Sequence, residues 1–262
     1  MRALQTAATG MMAQELNVQV ISNNIANMRT TGYKRQRAEF QDLLYEHVSR
    51  VGSQTSSQGN ILPAGIEIGS GVKSVGTPRI MTQGGLSATG KDYDIAIRGE
   101  GFFKITMPDG RTAYTRDGSF ELDAQGRLVT AAGNVVQPGI TIPQNATSVV
   151  INAQGQVSAT VPGSTTPTQI GQIELAHFIN KAGLQGLGDN LYFETPASGT
   201  PQNGTPTTDG LGDLMQGNLE QANVEAVSEI SDLIAAQRAY EMNAKVITAA
   251  DQMLSATSNL MR

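Results

Sequence analysis

The chain of 262 residues carries 23 acidic and 18 basic residues, a formal net charge of −5 with no block of either sign, which argues against a nucleic-acid partner because that calls for a basic face. It contains no Cys, so disulfides and thiolate metal sites are excluded, and its two His residues, His47 and His177, cannot build a metal cluster without carboxylates. With 39% hydrophobic and 16% charged residues, 29 Gly and no Trp, the composition supports a compact core that does not take in every residue.

Residues 1–28 lack the basic region, continuous apolar run and small-residue cleavage site of a secretory leader. No stretch reaches the length of a transmembrane helix. The expectation is a cytosolic protein, or one exported without a cleaved signal peptide. Residues 1–32 read as a helix: Leu4, Met11, Val18 and Ile25 fall seven apart, with Ala7, Ile21 and Met28 three residues on and Gln14 the single break. That is an a/d seam. Gly10 lies inside it and costs about 1 kcal/mol relative to Ala, so the helix is marginal without a partner. Gly32 is the predicted stop signal.

Tyr33-Lys34-Arg35-Gln36-Arg37 is the only basic cluster and reads as a solvated or intersubunit face. Residues 33–71 form a connector or extended arm, in which 38–48 continues as helix or as extended chain. Its polar, Gly-rich stretch from Ser49 suits a flexible link. It ends in an apolar run, Ile61, Leu62, Pro63, Ile66 and Ile68, where Pro63 limits freedom and the alternating isoleucines begin a strand. Gly69-Ser70-Gly71-Val72-Lys73-Ser74 lacks the glycine and lysine spacing of a phosphate loop.

Residues 72–212 read as an antiparallel β domain with its own core. Short apolar-polar runs (Asp94-Ile95-Ala96-Ile97, Phe102-Phe103-Lys104-Ile105, Arg127-Leu128-Val129-Thr130, Ser148-Val149-Val150-Ile151) alternate with turn signals at Pro108-Asp109-Gly110, Asp123-Ala124-Gln125-Gly126, Gly133-Asn134 and Asn152-Ala153-Gln154-Gly155. Gly99 and Gly101, around Glu100, mark a bulge or sharp corner. Residues 162–169 and 195–212 have the composition of solvated linkers. No catalytic constellation, cofactor motif or metal set emerges.

The last segment, 213–262, reads as the second terminal helix. From Gln216 onward Leu219, Ala226, Leu233, Tyr240, Ile247, Leu254 and Met261 are apolar at intervals of seven, and no Gly or Pro follows Gly217. Such a helix would reach roughly 65 Å. Three residues on from each seam position the chain is mostly small or polar: Ala222, Glu229, Ala236, Asn243, Ala250, Thr257. The stripe is too thin for one core and calls for partner helices, packed close where the residues are small. Periodicity alone leaves a coiled coil within one molecule and assembly between molecules equally open.

Ser22-Asn23-Asn24-Ile25-Ala26-Asn27 and Thr31-Gly32-Tyr33-Lys34 resemble the N-terminal signature of bacterial flagellar rod and hook proteins. Gly217-Asn218-Leu219-Glu220-Gln221-Ala222-Asn223-Val224 and Gln237-Arg238-Ala239-Tyr240-Glu241-Met242-Asn243-Ala244-Lys245 resemble their C-terminal motif. The segments 94–103 and 114–120 match as well, so the resemblance covers essentially the whole chain. Its motif positions are Asn24, Asn27, Gly32, Tyr33, Lys34, Asn223, Gln237, Arg238 and Asn243; Ala222 stands where the motif usually has Ser. Within the family the chain is most similar to distal-rod members: residues 11–18 and 34–44 resemble their N-terminal region, and the length fits as well, since hook members carry a further outer domain.

The resemblance implies an α+β fold. The terminal helices form an inner, coiled-coil-like layer, an inserted all-β domain projects outward, and the connector lies between and stiffens the rod. It implies a structural subunit, not an enzyme, that polymerises helically into the distal rod, a rigid shaft across the periplasm carrying torque from motor to hook. The implied partners are further copies of itself, proximal rod proteins, the hook protein, the peptidoglycan and outer-membrane ring bushing, and the flagellar type III export apparatus. It implies no cofactor, nucleic acid or membrane insertion. Export by that route accounts for the missing leader, and the absence of Cys avoids oxidation outside the cytosol. Two alternatives stand beside it: a proximal rod member of the family, and a secreted β-domain adhesin with coiled-coil ends that closes into a small oligomer.

Overall fold

A computed structural model describes residues 2–49, 64–163 and 166–260. The chain forms an N-terminal helix, a C-terminal helix and an antiparallel β-rich middle, an α+β architecture divided into two compact units. One comprises Met1–Ile25, Gln36–Pro78 and Ala226–Arg262; the other comprises Ala26–Arg35 and Arg79–Glu225.

In the first unit, helix α1 spans Arg2–Ala26 and helix α2 spans Ala226–Leu260, lengths of about 38 and 53 Å at the helical rise. They run antiparallel. Asn24, near the end of α1, donates from Nδ2 to Glu229 Oε2 in the first turn of α2 at 3.1 Å. Farther along, Gly10 of α1 lies against Asn243 of α2, and a Cβ at Gly10 would sit 2.9 Å from Asn243 Nδ2. That close approach accounts for a glycine that the helix itself disfavours. Among the described residues of α2, the buried ones are Glu229, Ala236 and Ala250. The small offset line therefore faces inward, while Leu233 and Ile247 are half-buried beside it and Tyr240 and Leu254 are exposed. On α1 the seam residues Leu4, Met11, Val18 and Ile25 are half-buried, flanking the buried Ala7, Ala13, Val20, Ile21 and Asn24. Among the described residues no helix is long and apolar enough to cross a membrane.

The rest of this unit is extended, so 38–48 does not continue as helix. Strand Glu39–Asp42 pairs with Val72–Gly76, and Tyr45–Ser49 pairs with Ile66–Gly69, both antiparallel. Leu44, Tyr45, Val48, Ile66 and Ile68 are exposed. Ile61, Leu62 and Pro63 lie outside the described residues.

The second unit is built on a nine-stranded sheet whose central path runs Gln185–Gly188, Leu191–Phe193, Thr112–Thr115, Phe102–Thr106, Val135–Val136, Leu128–Thr130, Phe120–Leu122. Strand Phe102–Thr106 is buried on both faces. Phe103 and Ile105 enter the main core, which also takes Ile95, Ile97, Phe120, Leu128, and Val149, Ile151 and Val157 from a three-stranded sheet. Phe102 joins a second cluster with Tyr114, Phe178, Leu184 and Tyr192. Edge-to-face rings, such as Phe103–Phe120 at 5.0 Å and Tyr114–Phe178 at 4.8 Å, add directional packing to the buried area.

Three expectations are corrected here. Helix α1 stops at Ala26, six residues before Gly32, because 27–32 turns away into the second unit. Helix α2 begins at Ala226, not Gln216: Asp213–Gln216 pairs with Ile95–Arg98, and Asn218–Glu220 pairs with Leu86–Ala88. Gly217, at φ +69°, turns the chain between those strands, and Leu219 is a strand residue that extends the heptad spacing by coincidence. The stretch 195–212 is not wholly a linker, since Gln202–Gly204 pairs with Leu175–His177 and Ser198 is buried.

Candidate functional site

The motif segments meet inside the second unit at a buried cluster of charge. Strand Asn218–Glu220 delivers the Glu220 carboxylate into the interior, where Lys34 Nζ approaches Oε1 at 2.6 Å. Lys34 Nζ also donates to the Thr82 carbonyl at 2.8 Å, and the Gly84 N–H donates to Glu220 Oε1 at 2.9 Å. Arg116 follows strand Thr112–Thr115; its Nε lies 2.9 Å from Glu220 Oε2 without the alignment of a hydrogen bond. Arg116 Nη1 donates to the Gly99 and Gly101 carbonyls at 2.9 and 2.7 Å. Lys34, Arg116 and Glu220 are 1%, 4% and 1% exposed.

Glycines let the backbone close around these charges. Gly32 has φ +67°, and a Cβ there would lie 2.7 Å from the Asp117 nitrogen; its N–H donates to the Glu220 carbonyl at 2.8 Å. A Cβ on Gly84 would lie 1.9 Å from the Gln221 carbonyl oxygen. Gly99 and Gly101, at φ +110° and +133°, form the sharp corner read from the sequence, and that corner turns both carbonyls toward Arg116. Asn223 completes the arrangement: its Oδ1 accepts from the Arg35 N–H at 2.8 Å, and its Nδ2 donates to the carbonyls of Ile80 and Thr82 at 2.7 and 3.1 Å.

Two cations share one carboxylate here. Burial is the largest cause that holds the Lys34 ammonium below its ordinary pKa; Glu220 opposes the shift and Arg116 adds to it. Nothing in this geometry moves protons or bonds toward a substrate. It ties three distant stretches of chain to one buried anion. Among the described residues no group of His, Asp and Glu could hold a metal ion.

Several candidate residues are thereby placed. Lys34, read with its basic neighbours as part of a solvated or intersubunit face, is buried instead, because its partner lies 186 residues away. Gly32, Lys34 and Asn223 belong to the charge cluster; Tyr33 and Asn27 are half-buried beside it in sequence. Asn24 and Asn243 lie in the helix pair. Gln237 and Arg238 are exposed on α2. Tyr240 lines a groove of ≈ 470 Å³ in the first unit with Glu15, Val18, Gln19, Gln237 and Glu241. Arg116 and Glu220 stand inside motif segments, yet nothing in their local sequence signals burial. Their one visible sign is the company of glycines, Gly118 and Gly217.

Two long helices with apolar side chains on their exposed faces, and a β unit locked around its own charges, define a structural interaction protein. The chain belongs to the flagellar basal-body rod protein family and is not an enzyme. A profile described as flagella basal body rod protein matches residues 4–34; the D1 domain of flagellar hook protein FlgE/F/G matches 96–159; the C-terminal part of flagellar basal body rod FlgEFG protein matches 215–260. Lys34, Arg116 and Glu220 fall one in each matched segment. Flagellar basal-body rod protein FlgG of Caulobacter vibrioides is 56% identical over 260 residues, 99% of either chain. That of Agrobacterium fabrum is 50% identical over 262 residues, 100% of either chain. Flagellar basal-body rod protein FlgF of Caulobacter vibrioides is 35% identical over 249 residues, 94% of this chain and 91% of its own.

Proposed function

We propose that the chain polymerises helically into the distal rod, the stiff shaft that crosses the periplasm and carries torque from the motor to the hook. The observation that carries this reading is the number of exposed apolar side chains on α2. Val227, Ile230, Ile234, Tyr240, Met242, Val246, Met253 and Leu254 are all exposed on one helix although α1 is already paired with it. A monomer gains nothing by presenting that much apolar surface to water, whereas repeated copies bury it and extend the pairing into a coiled-coil-like layer. The seam residues Leu4, Met11, Val18, Ile25, Leu233, Tyr240, Ile247 and Leu254 then serve packing between subunits as well as within one. The distal assignment is supported by the greater likeness to the FlgG of Caulobacter vibrioides than to its FlgF. Family membership removes the adhesin alternative.

Proximal rod proteins, the hook protein, the ring bushing and the type III export apparatus are the partners of that role, and export proceeds without a cleaved signal. The arm that carries the exposed Ile66 and Ile68, with Ile61, Leu62 and Pro63 before it, stiffens the rod by locking neighbouring copies. The test is Tyr240→Asp. It sets a third carboxylate beside Glu15 and Glu241 in the groove, where burial by a neighbouring copy costs about 3–5 kcal/mol per contact. The expected result is a subunit that is exported normally, no distal rod by electron microscopy of basal bodies, and no swimming. Wild-type swimming overturns the assignment.

A further inference from the structure

We infer that Met242 and Met253 are an oxidation-sensitive pair: conversion of their thioethers to sulfoxides by hydrogen peroxide bars a free subunit from the rod, while a subunit already built in is shielded. The inference rests on the proposed packing of α2 against neighbouring copies and names the chemistry that blocks it.

The chain has 10 Met, no Cys and no Trp. With no thiol to react in its place, the thioether is the group that such an oxidant takes. The methionines divide by where they lie. Met81, Met107 and Met215 of the β unit are half-buried; Met81 packs on the aromatic cluster and Met107 on the main core. On the helices, Met12, Met242 and Met253 are 61%, 60% and 63% exposed. Successive helix residues turn by about 100°, so Met242, Val246 and Met253 fall within about 40° of one another around α2 and span about 16 Å along it. Val246 is exposed as well. The two sulfurs therefore flank one apolar strip. A terminal segment not yet wound into helix exposes the same sulfurs no less, so the oxidation does not require α2 to be formed beforehand.

The step balances with peroxide alone. A sulfur lone pair attacks one peroxide oxygen and the O–O bond breaks as the S–O bond forms. The sulfur loses two electrons, and the departing hydroxide takes up the proton carried over with the transferred oxygen, leaving sulfoxide and water. Met suits an assembly surface because its unbranched thioether fills irregular gaps. The sulfoxide is polar and chiral, and it disrupts interfaces built on Met. Its oxygen needs a hydrogen-bond donor once neighbours exclude water, and the Val246 side chain between the two sulfurs offers none. Both oxides thus act on the same strip of contact.

The test begins with the purified full-length chain. Peroxide treatment followed by peptide mass spectrometry should oxidise Met242 and Met253 roughly tenfold faster than Met81 and Met107; equal rates overturn the inference. Three versions are then induced in cells that lack the chain: the parent, Met242→Leu with Met253→Leu, and Met242→Gln with Met253→Gln. Leu keeps an apolar side chain that peroxide does not touch, and Gln stands in for the sulfoxide. Complete rods are counted by electron microscopy of basal bodies. Peroxide present during induction should cut the parent's count roughly fivefold and leave the Leu/Leu count unchanged, while peroxide added after rods are complete should cost the parent nothing. Gln/Gln should build roughly tenfold fewer rods without any oxidant. Gln/Gln rods at the parent's number overturn the inference, as do Leu/Leu cells as sensitive as the parent or Leu/Leu cells without rods. Tyr240→Asp separates the two readings: rods from that variant overturn the assembly surface itself, whereas no rods from it beside normal rods from Gln/Gln overturn the oxidation inference alone.

Discussion

Removing the Glu220 carboxylate is the sharpest perturbation available, because charge counting ranks its effect against its neighbours. Glu220→Gln keeps shape and an acceptor for the Gly84 N–H but leaves Lys34 and Arg116 buried with no anion between them. Breaking a buried pair by removing one partner costs about 3–5 kcal/mol. Two stranded cations place this substitution at the upper end of that range, against a total stability of about 5–15 kcal/mol for a domain. Lys34→Met, in contrast, leaves Glu220 facing Arg116 with charge balanced. It forfeits the Lys34 contacts, worth about 1.5–3 kcal/mol for hydrogen bonds to a charged group, and relieves the burial of an ammonium. The second unit holds the buried Tyr114 and Tyr192 and the chain has no Trp, so tyrosine fluorescence in urea follows this unit directly. The expected order of loss is Glu220→Gln greater than Lys34→Met, with unchanged denaturant slopes. Equal losses, or the reverse order, refute the claim that one carboxylate compensates two cations.

The depressed pKa of Lys34 has a pH signature. Between its folded value and the ordinary 10.5 the unfolded chain binds the proton and the folded chain does not, so stability contributed by this group rises with pH through that window. The urea midpoint of the parent should therefore gain on that of Lys34→Met as pH is raised from neutrality toward 10.5, and a constant difference contradicts the shift. Gly84→Ala drives a Cβ to within 1.9 Å of a backbone oxygen and should abolish cooperative unfolding of the second unit. Gly90→Ala, with φ +72° but no atom within 4 Å, should lose only about 1–2 kcal/mol; comparable damage in the two sinks the close-approach argument. A fragment 79–212 lacks the partners of Ile95–Arg98 and Leu86–Ala88 and should melt without cooperativity, whereas 26–225 restores both; a sharp melt of the shorter piece contradicts the role given to 213–220.

Local structure was legible where it is written locally. Strand Ser148–Ile151 alternates exposed and buried residues, and its bounds are those of the apolar-polar run. Asp123-Ala124-Gln125-Gly126 turns where its Asp and Gly predict, with Asp123 Oδ1 accepting from the Gln125 and Arg127 N–H groups. The start of α2 was not legible, because the spacing of seven continues back past Ala226 to Leu219, in a strand whose partners lie more than a hundred residues away. Nor was the burial of Lys34. A lysine beside two arginines carries the pattern of a solvated face, and only the fold reveals that Glu220 and the Thr82 carbonyl receive it. The inward face of α2 was half legible: the seven-residue period was visible, but the apolar seam and the small offset line lie close together on the helix. Gly10, which admits Asn243, decides between them in favour of the small line.

These placements sort the family motif by physical role. Gly32, Lys34 and Asn223 are satisfied within one chain; their donors, acceptors and charges find partners before any second copy arrives, so substitutions there act on folding first. Gln237, Arg238 and Tyr240 are exposed on a helix already paired through Glu229, Ala236 and Asn243. A residue whose contacts are complete inside the subunit gives no reason for a neighbour, whereas exposed apolar side chains along a long helix do. Loss of rod with a normal urea midpoint belongs to the second group, and loss of both belongs to the first. Motility and stability measured together on Tyr240→Asp and Glu220→Gln separate assembly from folding, and a Tyr240→Asp protein that unfolds early would move that residue from one group to the other.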